Sequence, residues 1–478
     1  MLVCVLVTAA VGLWLLTGHR STRQTVADGV PLVEVHPRLA PGERRPGVVV
    51  AHGFAGSARL MAPFGDSLAE RGYVVVLLDF SGHGANTRPL PDSAASTAAS
   101  TAALQHDLDV ATRHLRGLPD VDPSAIALVG HSMGAGAVTR YAVAHPEITA
   151  TVALSLPDAA PVLPDPPARL LVLVGALEFP GFRSEAARAV EPAGPDRSMV
   201  VVPGVEHIGI LYAPRTHREV AAWLDQSFDT TGDPMPSPIR RLGGAALLVV
   251  ALLAGLYPLA RLLFGDARGS WPSPRIADLG RGVAVAAGAA ALGALAARFL
   301  PTNRLPLAIG GYLLGLTGAA GAAMLAFRHR APAIAPTGRL RLALATPVLI
   351  GYAAVTIAVP THLGLTHAVP VGKRWWVLLL LWAGFALLAW AAGRLTAGNA
   401  FGGLAVSALV VIALTGAAVA GLTNGFVLLV VPLLAILMLW QAAWSAVLHR
   451  FAAPAWLIAL VGSLLVAWPM ATALPLIS

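Results

Sequence analysis

A chain of 478 residues that is 56% hydrophobic and 12% charged, with a mean hydropathy of +0.70, is too apolar to be one ordinary soluble domain. Of its 25 acidic residues, 23 lie between His19 and Arg241, and only Asp266 and Asp278 follow, so the formal net charge of +8 arises in the C-terminal half. That half is apolar blocks joined by basic links, a membrane pattern without the basic stripe and interleaved aromatics of a nucleic-acid binder, and the lone Cys4 excludes a disulfide framework or a thiolate metal site.

In chain order, Leu2 to Leu16 is an apolar run at the upper limit for a signal segment and short for a spanning helix. It lacks a basic leading region, and its small residues Thr8-Ala9-Ala10 lie inside the run, so residues 1–18 are read as an uncleaved membrane anchor. Residues 19–241 carry 19 Arg against 23 acids and have the composition of a water-facing domain. Strand-like runs appear at Val48–Ala51, Tyr73–Leu78, Ala125–Val129, Thr151–Leu156, Leu170–Val174 and Met199–Val202. Amphipathic segments alternate with them at Ser57–Arg71, Ala102–Leu118, Met133–Ala144, Ser184–Val190 and Thr216–Phe228. This βαβ rhythm predicts an α/β fold with a mostly parallel sheet covered on both faces, whose functional residues sit at the carboxyl ends of strands.

Gly130-His131-Ser132-Met133-Gly134 joins a strand-like run to a helix-like one. A serine on so sharp a turn is lifted clear of the sheet, and the small flanking glycines let strand and helix crowd together. The pattern is weak in a glycine-rich chain, so its neighbours must support it. A serine hydroxyl needs a base, and the base needs a carboxylate to fix its tautomer. Glu178 follows the run ending at Val174, and His207 follows the run ending at Val202. The order Ser132, Glu178, His207 is that of an acyl-hydrolase triad, with Asp158, after the run ending at Leu156, as a substitute acid. After the first run, the turn His52-Gly53-Phe54-Ala55-Gly56-Ser57 places the Phe54 N–H, together with that of Met133, as donors for an oxyanion. His52 is read as a turn-supporting histidine, His83 in Asp79-Phe80-Ser81-Gly82-His83-Gly84 as part of a pocket wall, and no metal-binding spacing is found.

On these motifs, residues 46–228 resemble the α/β-hydrolase superfamily, most closely its dienelactone-hydrolase and serine-aminopeptidase-type members. The resemblance implies an α/β-hydrolase fold and cleavage of an ester or other acyl bond through an acyl-enzyme, without a cofactor or metal. Two departures stand out. The acid is Glu178 where Asp is commoner, and the segment between Leu156 and Leu170, where a lid often sits, is short and proline-rich. An open site is expected, or one roofed by the bilayer or by the helices that follow.

From Leu242 the chain shows eight apolar blocks near 243–264, 282–300, 306–327, 342–360, 375–393, 401–422, 426–448 and 456–477, each long enough to cross about 30 Å of hydrocarbon. Residues 242–478 therefore read as an all-α polytopic transmembrane bundle. Gly311, Gly315, Gly318 and Gly321 predict close helix packing within it. Links such as Trp271-Pro272-Ser273-Pro274 punctuate the blocks. Arg261, Arg268, Arg275, Arg281, Arg328, Arg330, Arg339, Arg341, Arg394 and Arg450 crowd one set of links, against Arg240, Arg241, Arg298, Arg304, Lys373 and Arg374 in the other. The richer set predicts the cytoplasmic side, which puts residues 19–241 outside the cytoplasm at the cell membrane, although Arg20 and Arg23 point the other way. His362 and His367 beside Lys373 and Arg374 read as membrane-surface groups. Two functions fit: a membrane-bound serine hydrolase acting on a small-molecule or lipid ester, or a transporter or membrane-assembly protein whose hydrolase-like domain binds ligand without turnover. Nucleic acid is not an expected partner.

Overall fold

The computed structural model describes residues 2–17, 21–93, 95–163, 167–191, 194, 196–267, 276–327 and 338–478. Arg20, Pro164 to Pro166, Arg268, the link Trp271-Pro272-Ser273-Pro274, Arg275, Arg328 and Arg330 lie outside them. The chain forms two compact units, one of residues 11–246, 361–371 and 475–478, the other of residues 1–10, 247–360 and 372–474. Helix α1, Leu2–Leu16, precedes the first strand.

The first unit is an α/β layer. Its elements run β1 (Ser21–Ala27), β2 (Val30–His36), β3 (Arg45–Ala51), α2 (Ala62–Glu70), β4 (Val74–Leu78), α3 (Thr97–Arg116), β5 (Val121–His131), α4 (Met133–Ala144), β6 (Ala150–Leu154), β7 (Leu170–Gly175), α5 (Pro180–Ala189), β8 (Arg197–Val202) and α6 (Pro214–Phe228). The strands form one eight-stranded sheet in the order β1-β2-β4-β3-β5-β6-β7-β8. Pairings β1–β2 and β2–β4 are antiparallel, and the rest are parallel.

Strand periodicity explains why both faces are covered. Val48, Val50, Val75 and Leu77 pack on one side with Phe64 and Leu68 of α2 and Val220 and Leu224 of α6, while Val49, Ala51, Val74, Val76 and Leu78 pack on the other with Leu104 and Leu108 of α3 and Val138 of α4. Both alternate sets are apolar, so β3 and β4 read as continuous apolar runs and neither face meets water. Edge strand β1 is the opposite case: Ser21, Thr22, Arg23 and Gln24 are exposed, and polar side chains protect an unpaired edge.

β1 and β2 are not among the predicted runs. Their hairpin turns on Asp28 and Gly29, both at positive φ (45° and 79°), the geometry that makes Asp-Gly a favoured two-residue hairpin turn. Helix α2 begins at Ala62 rather than Ser57, because Ser57 to Met61 forms turns before Pro63 opens the helix.

The second unit is helical, comprising α7 (Arg240–Phe264), α8 (Ile276–Phe299), α9 (Gly310–Ala326), α10 (Arg339–Gly364), α11 (Arg374–Leu395), α12 (Ala400–Val419), α13 (Val427–Arg450) and α14 (Ala455–Ala473), with the ends of α7 and α10 assigned to the first unit. Seven of these are long and apolar enough to cross a membrane, and α9, at 17 residues, falls just short. The region is that of a multi-pass membrane protein. A Cβ on Gly311 would run into the Thr302 carbonyl, one on Gly315 would sit 3.2 Å from the Ala297 Cβ, and one on Gly321 would sit 2.9 Å from the Leu388 nitrogen. Gly318 has open space. Three of the four glycines therefore permit close approach. Arg374, counted in the sequence as a link residue, is fully buried, and its Nη1 donates to the carbonyls of Ala471 and Leu474, both at 2.7 Å, at the end of α14. A guanidinium in this position satisfies orphan carbonyls and meets the negative end of the helix dipole.

Candidate active site

Strand β5 ends at His131, and the chain reverses into α4 through Ser132, whose φ of 51° and ψ of −115° lie outside the favoured regions for a side-chain-bearing residue. Such a conformation costs about 1–3 kcal/mol and persists only where its surroundings enforce it. Here a Cβ on Gly130 would run into the Gly134 carbonyl, and one on Gly134 would lie 2.5 Å from the carbonyl oxygen of His52. The Ser132 N–H donates to the Leu154 carbonyl at the end of β6, at 2.8 Å, pinning the turn from the side.

Two later strand ends meet this serine. His207, in the loop after β8, has its Nε2 3.1 Å from Ser132 Oγ, and its Nδ1 is hydrogen-bonded to Oε1 of Glu178, in the loop after β7. The pair fixes the tautomer: Nδ1 carries the proton toward the carboxylate, and Nε2 accepts from the serine hydroxyl. The Glu178 side chain is fully buried, and its second oxygen, Oε2, accepts from Ser155 Oγ at 2.9 Å and from the Gly175 N–H at 3.3 Å. Every carboxylate oxygen thus has a partner, as a buried charge requires. The arrangement can take a proton from the hydroxyl and hold the resulting imidazolium against a fixed anion.

Asp158 is elsewhere. Its carboxylate lies 3.7 Å from Arg140 and accepts from the Ala160 N–H at 2.9 Å, on the wall of a cavity of about 150 Å³ shared with Met133, Gly136 and Pro157. The acid that meets His207 is Glu178.

The turn after β3 packs directly on the serine: a Cβ on Gly53 would stand 3.1 Å from Ser132 Cβ. Phe54 follows in that turn, and Met133 opens α4, whose first N–H groups have no acceptor within the helix and sit at its positive end. His52 is a loop support. Its Nδ1–H donates to the Gly53 carbonyl at 2.8 Å and its Nε2 accepts from the Phe80 N–H at 3.1 Å, while burial pushes its pKa down to about 4. His83 donates through Nδ1 to the Ser81 carbonyl at 2.9 Å and packs its ring 5.1 Å from that of His52 and 6.1 Å from that of Phe54, a wall contact. Asp79 ties the two loops, accepting from the Ala58 N–H at 2.7 Å and the Ala85 N–H at 2.8 Å.

Two residues escaped the sequence reading. His131 donates through Nε2–H to the backbone carbonyl of His207 at 2.9 Å, and burial, aided by the adjacent His207, pushes its pKa down to about 3, so it is a neutral strut. Ser155 is the second. Both stand at strand ends, the signal by which Ser132, Glu178 and His207 were found.

Segments distant in sequence complete the unit. Ser57 Oγ accepts from the His367 N–H at 3.0 Å and bonds Thr366 Oγ1 at 2.8 Å, and Arg59 donates to the His362 carbonyl at 3.3 Å. The terminal residues pair with the loop after β4: the Leu476 N–H donates to the Gly82 carbonyl at 2.8 Å, and the Leu90 N–H donates to the Leu476 carbonyl at 2.9 Å. Between Leu156 and Leu170 the described residues hold one short 3₁₀ turn, Ala160–Val162, and no cap domain.

The chain is similar to known proteins over part of its length. Residues 42–193 match the family model described as serine aminopeptidase, S33. The chain is 32% identical over 108 residues to cutinase 1 of Thermobifida cellulosilytica, covering 23% of this chain and 38% of that protein. It is 31% identical over 176 residues to an uncharacterised protein of Mycobacterium tuberculosis, covering 36% of this chain and 50% of the relative. The chain thus spans half or less of the length of these relatives. The solved structure of a putative dienelactone hydrolase from Klebsiella pneumoniae aligns with a TM-score of 0.36 at 18% identity, covering 44% of this chain and 100% of that one. Residues 42–193 are thus similar to the serine aminopeptidase family, in a chain with an α/β-hydrolase-type sheet that continues into a region of seven membrane-length helices.

Proposed function

We propose that this protein is a membrane-bound serine hydrolase that cleaves an ester or other acyl bond through an acyl-enzyme. The observation that carries the proposal is the hydrogen-bonded series Ser132 Oγ, His207 Nε2, His207 Nδ1, Glu178 Oε1. In the first half-reaction, Ser132 Oγ attacks the acyl carbon as His207 Nε2 takes its proton. Glu178 holds the imidazole in the receptive tautomer and stabilises the imidazolium. The N–H groups of Phe54 and Met133 receive the oxyanion. Collapse of the tetrahedral intermediate expels the alcohol or amine, which leaves with the proton returned by His207. Water, deprotonated by the same imidazole, attacks the acyl-enzyme in the second half, releasing the acid and restoring the Ser132 hydroxyl. Several of the relatives are cutinases, which favours an ester as the bond cleaved. Attachment to membrane-length helices favours esters presented by a lipid surface. The distribution of basic residues favours placement of the domain outside the cytoplasm, at the cell membrane.

A fluorophosphonate probe tests the chemistry. It is expected to label the full-length wild type at Ser132 and not Ser132→Ala. An unlabelled wild type that is folded would leave the ligand-binding, non-turnover reading in its place. An impermeant thiol reagent applied to intact cells is expected to label Ser93→Cys, after removal of the background from Cys4. Labelling only after lysis would put the domain in the cytoplasm.

A further inference from the structure

We propose that Ser155 is a positioning residue for the acid of this site. Its hydroxyl locks the Glu178 carboxylate, and the end of β6 thereby sets both ends of the proton relay. The inference rests on the serine-hydrolase reading above and adds a residue that the motif does not contain.

The need arises from the acid. Glutamate has one more rotatable bond than aspartate between backbone and carboxylate, so one further torsion must be frozen for Oε1 to stay on His207 Nδ1. The backbone contribution is modest, the Gly175 N–H reaching Oε2 at 3.3 Å. The shorter bond to that oxygen, at 2.9 Å, is from Ser155 Oγ, a donor fully buried beside a fully buried carboxylate. A neutral hydroxyl bonded to a desolvated anion belongs to the stronger class of hydrogen bonds.

The backbone at Ser155 is built for this contact. The residue stands one position past β6 at a φ of 54°, in the left-handed region, yet it is not glycine. Its N–H donates to the Leu173 carbonyl at 2.7 Å, so the β6–β7 pairing holds the residue as the chain turns out of the strand. Leu154, immediately before it, accepts the Ser132 N–H at 2.8 Å. Two consecutive residues of one strand end therefore grip the nucleophile turn and the acid, which stand at opposite ends of the relay. A side-chain-bearing residue in a conformation that glycine would adopt without strain implies that the side chain earns its place.

The test uses the full-length protein in detergent or nanodiscs and reads three quantities: turnover of a short-chain p-nitrophenyl ester, the rate of fluorophosphonate labelling at Ser132, and the melting temperature. Ser155→Gly relieves the left-handed backbone while deleting the hydroxyl. It is expected to keep or raise the melting temperature and to lower kcat about tenfold or more with KM unchanged. Ser155→Ala is expected to lower kcat similarly, at some loss of stability. In a Glu178→Ala background, adding Ser155→Gly is expected to leave the labelling rate unchanged, because the hydroxyl acts only through the carboxylate. A Ser155→Gly variant with wild-type kcat would overturn the proposal, and so would an equal fold loss in the presence and absence of Glu178. These outcomes are separate from failure of the underlying reading, which would show as labelling or turnover undiminished in Ser132→Ala.

Discussion

The α/β unit and the helical unit bury apolar residues for opposite reasons. In the first, the central strands carry apolar runs covered on both faces, and the buried charged residues are held by ion pairs such as Arg71–Asp225 or, like Asp79, by backbone N–H groups. In the second, large apolar side chains face outward: Leu262 is 82% exposed, Phe299 80% and Phe401 79%, values that only a lipid solvent makes inexpensive. Helix α14 stands apart, with 78% of its apolar window buried against 28% for α7. Apolarity alone therefore signals burial in one unit and exposure in the other. Buried polar side chains carry the information in both, as Glu178 on His207 does in the first and Arg374 on the α14 carbonyls does in the second.

The comparison can be broken most forcefully at the serine. Ser132→Ala is expected to reduce ester turnover by about 10⁶-fold while leaving the helical unit intact, as checked by kinetics alongside detergent-resistant folding. Wild-type turnover in this variant would detach function from the α/β unit. Glu178→Ala is expected to cost about 10⁴-fold in kcat and Asp158→Ala less than about twofold, because only the former meets His207. Equal losses would mean that the contact with Oε1 is not the working one.

Acid bears on the α/β unit through its buried histidines. His52, His131 and His217 are buried neutral in the α/β unit, their pKa values depressed by burial to about 4, 3 and 4. The unfolded chain takes up these protons near pH 6.5 and the fold resists them, so stability present above pH 6.5 drains as pH falls toward 4, at about 3 kcal/mol for His52 alone. Thermal melts of the α/β unit between pH 7.5 and 4.5 check this, and a flat profile would mean that these rings are not held neutral. A smaller effect sharpens the packing contrast. Gly318→Ala, which meets open space in α9, is expected to be neutral or mildly stabilising, whereas Gly321→Ala presses on the Leu388 backbone and is expected to lower the melting temperature of the helical unit.

Much of this was legible along the chain because strand, turn and helix signals are local. The six central runs, the turn at Ser132 and the two later strand ends follow from periodicity and residue type, and the membrane-length blocks from hydropathy. The hairpin of β1 and β2 is not among the predicted runs, because the polarity of β1 hides a strand from any search for apolar runs. Ser155 and His131 share the strand-end placement, but their residue types name no partner. A serine after a strand and a histidine within an elbow become meaningful only when Glu178 and the His207 carbonyl arrive beside them.

Read along the chain, the sequence separates a water-facing α/β part from an apolar, membrane-length helical part, because composition fixes the solvent each segment prefers. It also named Ser132, Glu178 and His207 as candidates through their places after strands. The three-dimensional fold is needed to show that Glu178 rather than Asp158 meets the imidazole, that Arg374 caps α14 instead of facing a link, and that residues 361–371 and 475–478 pack with the α/β unit. These are choices among chemically equivalent partners. Distance in space settles them, and spacing along the chain does not encode it.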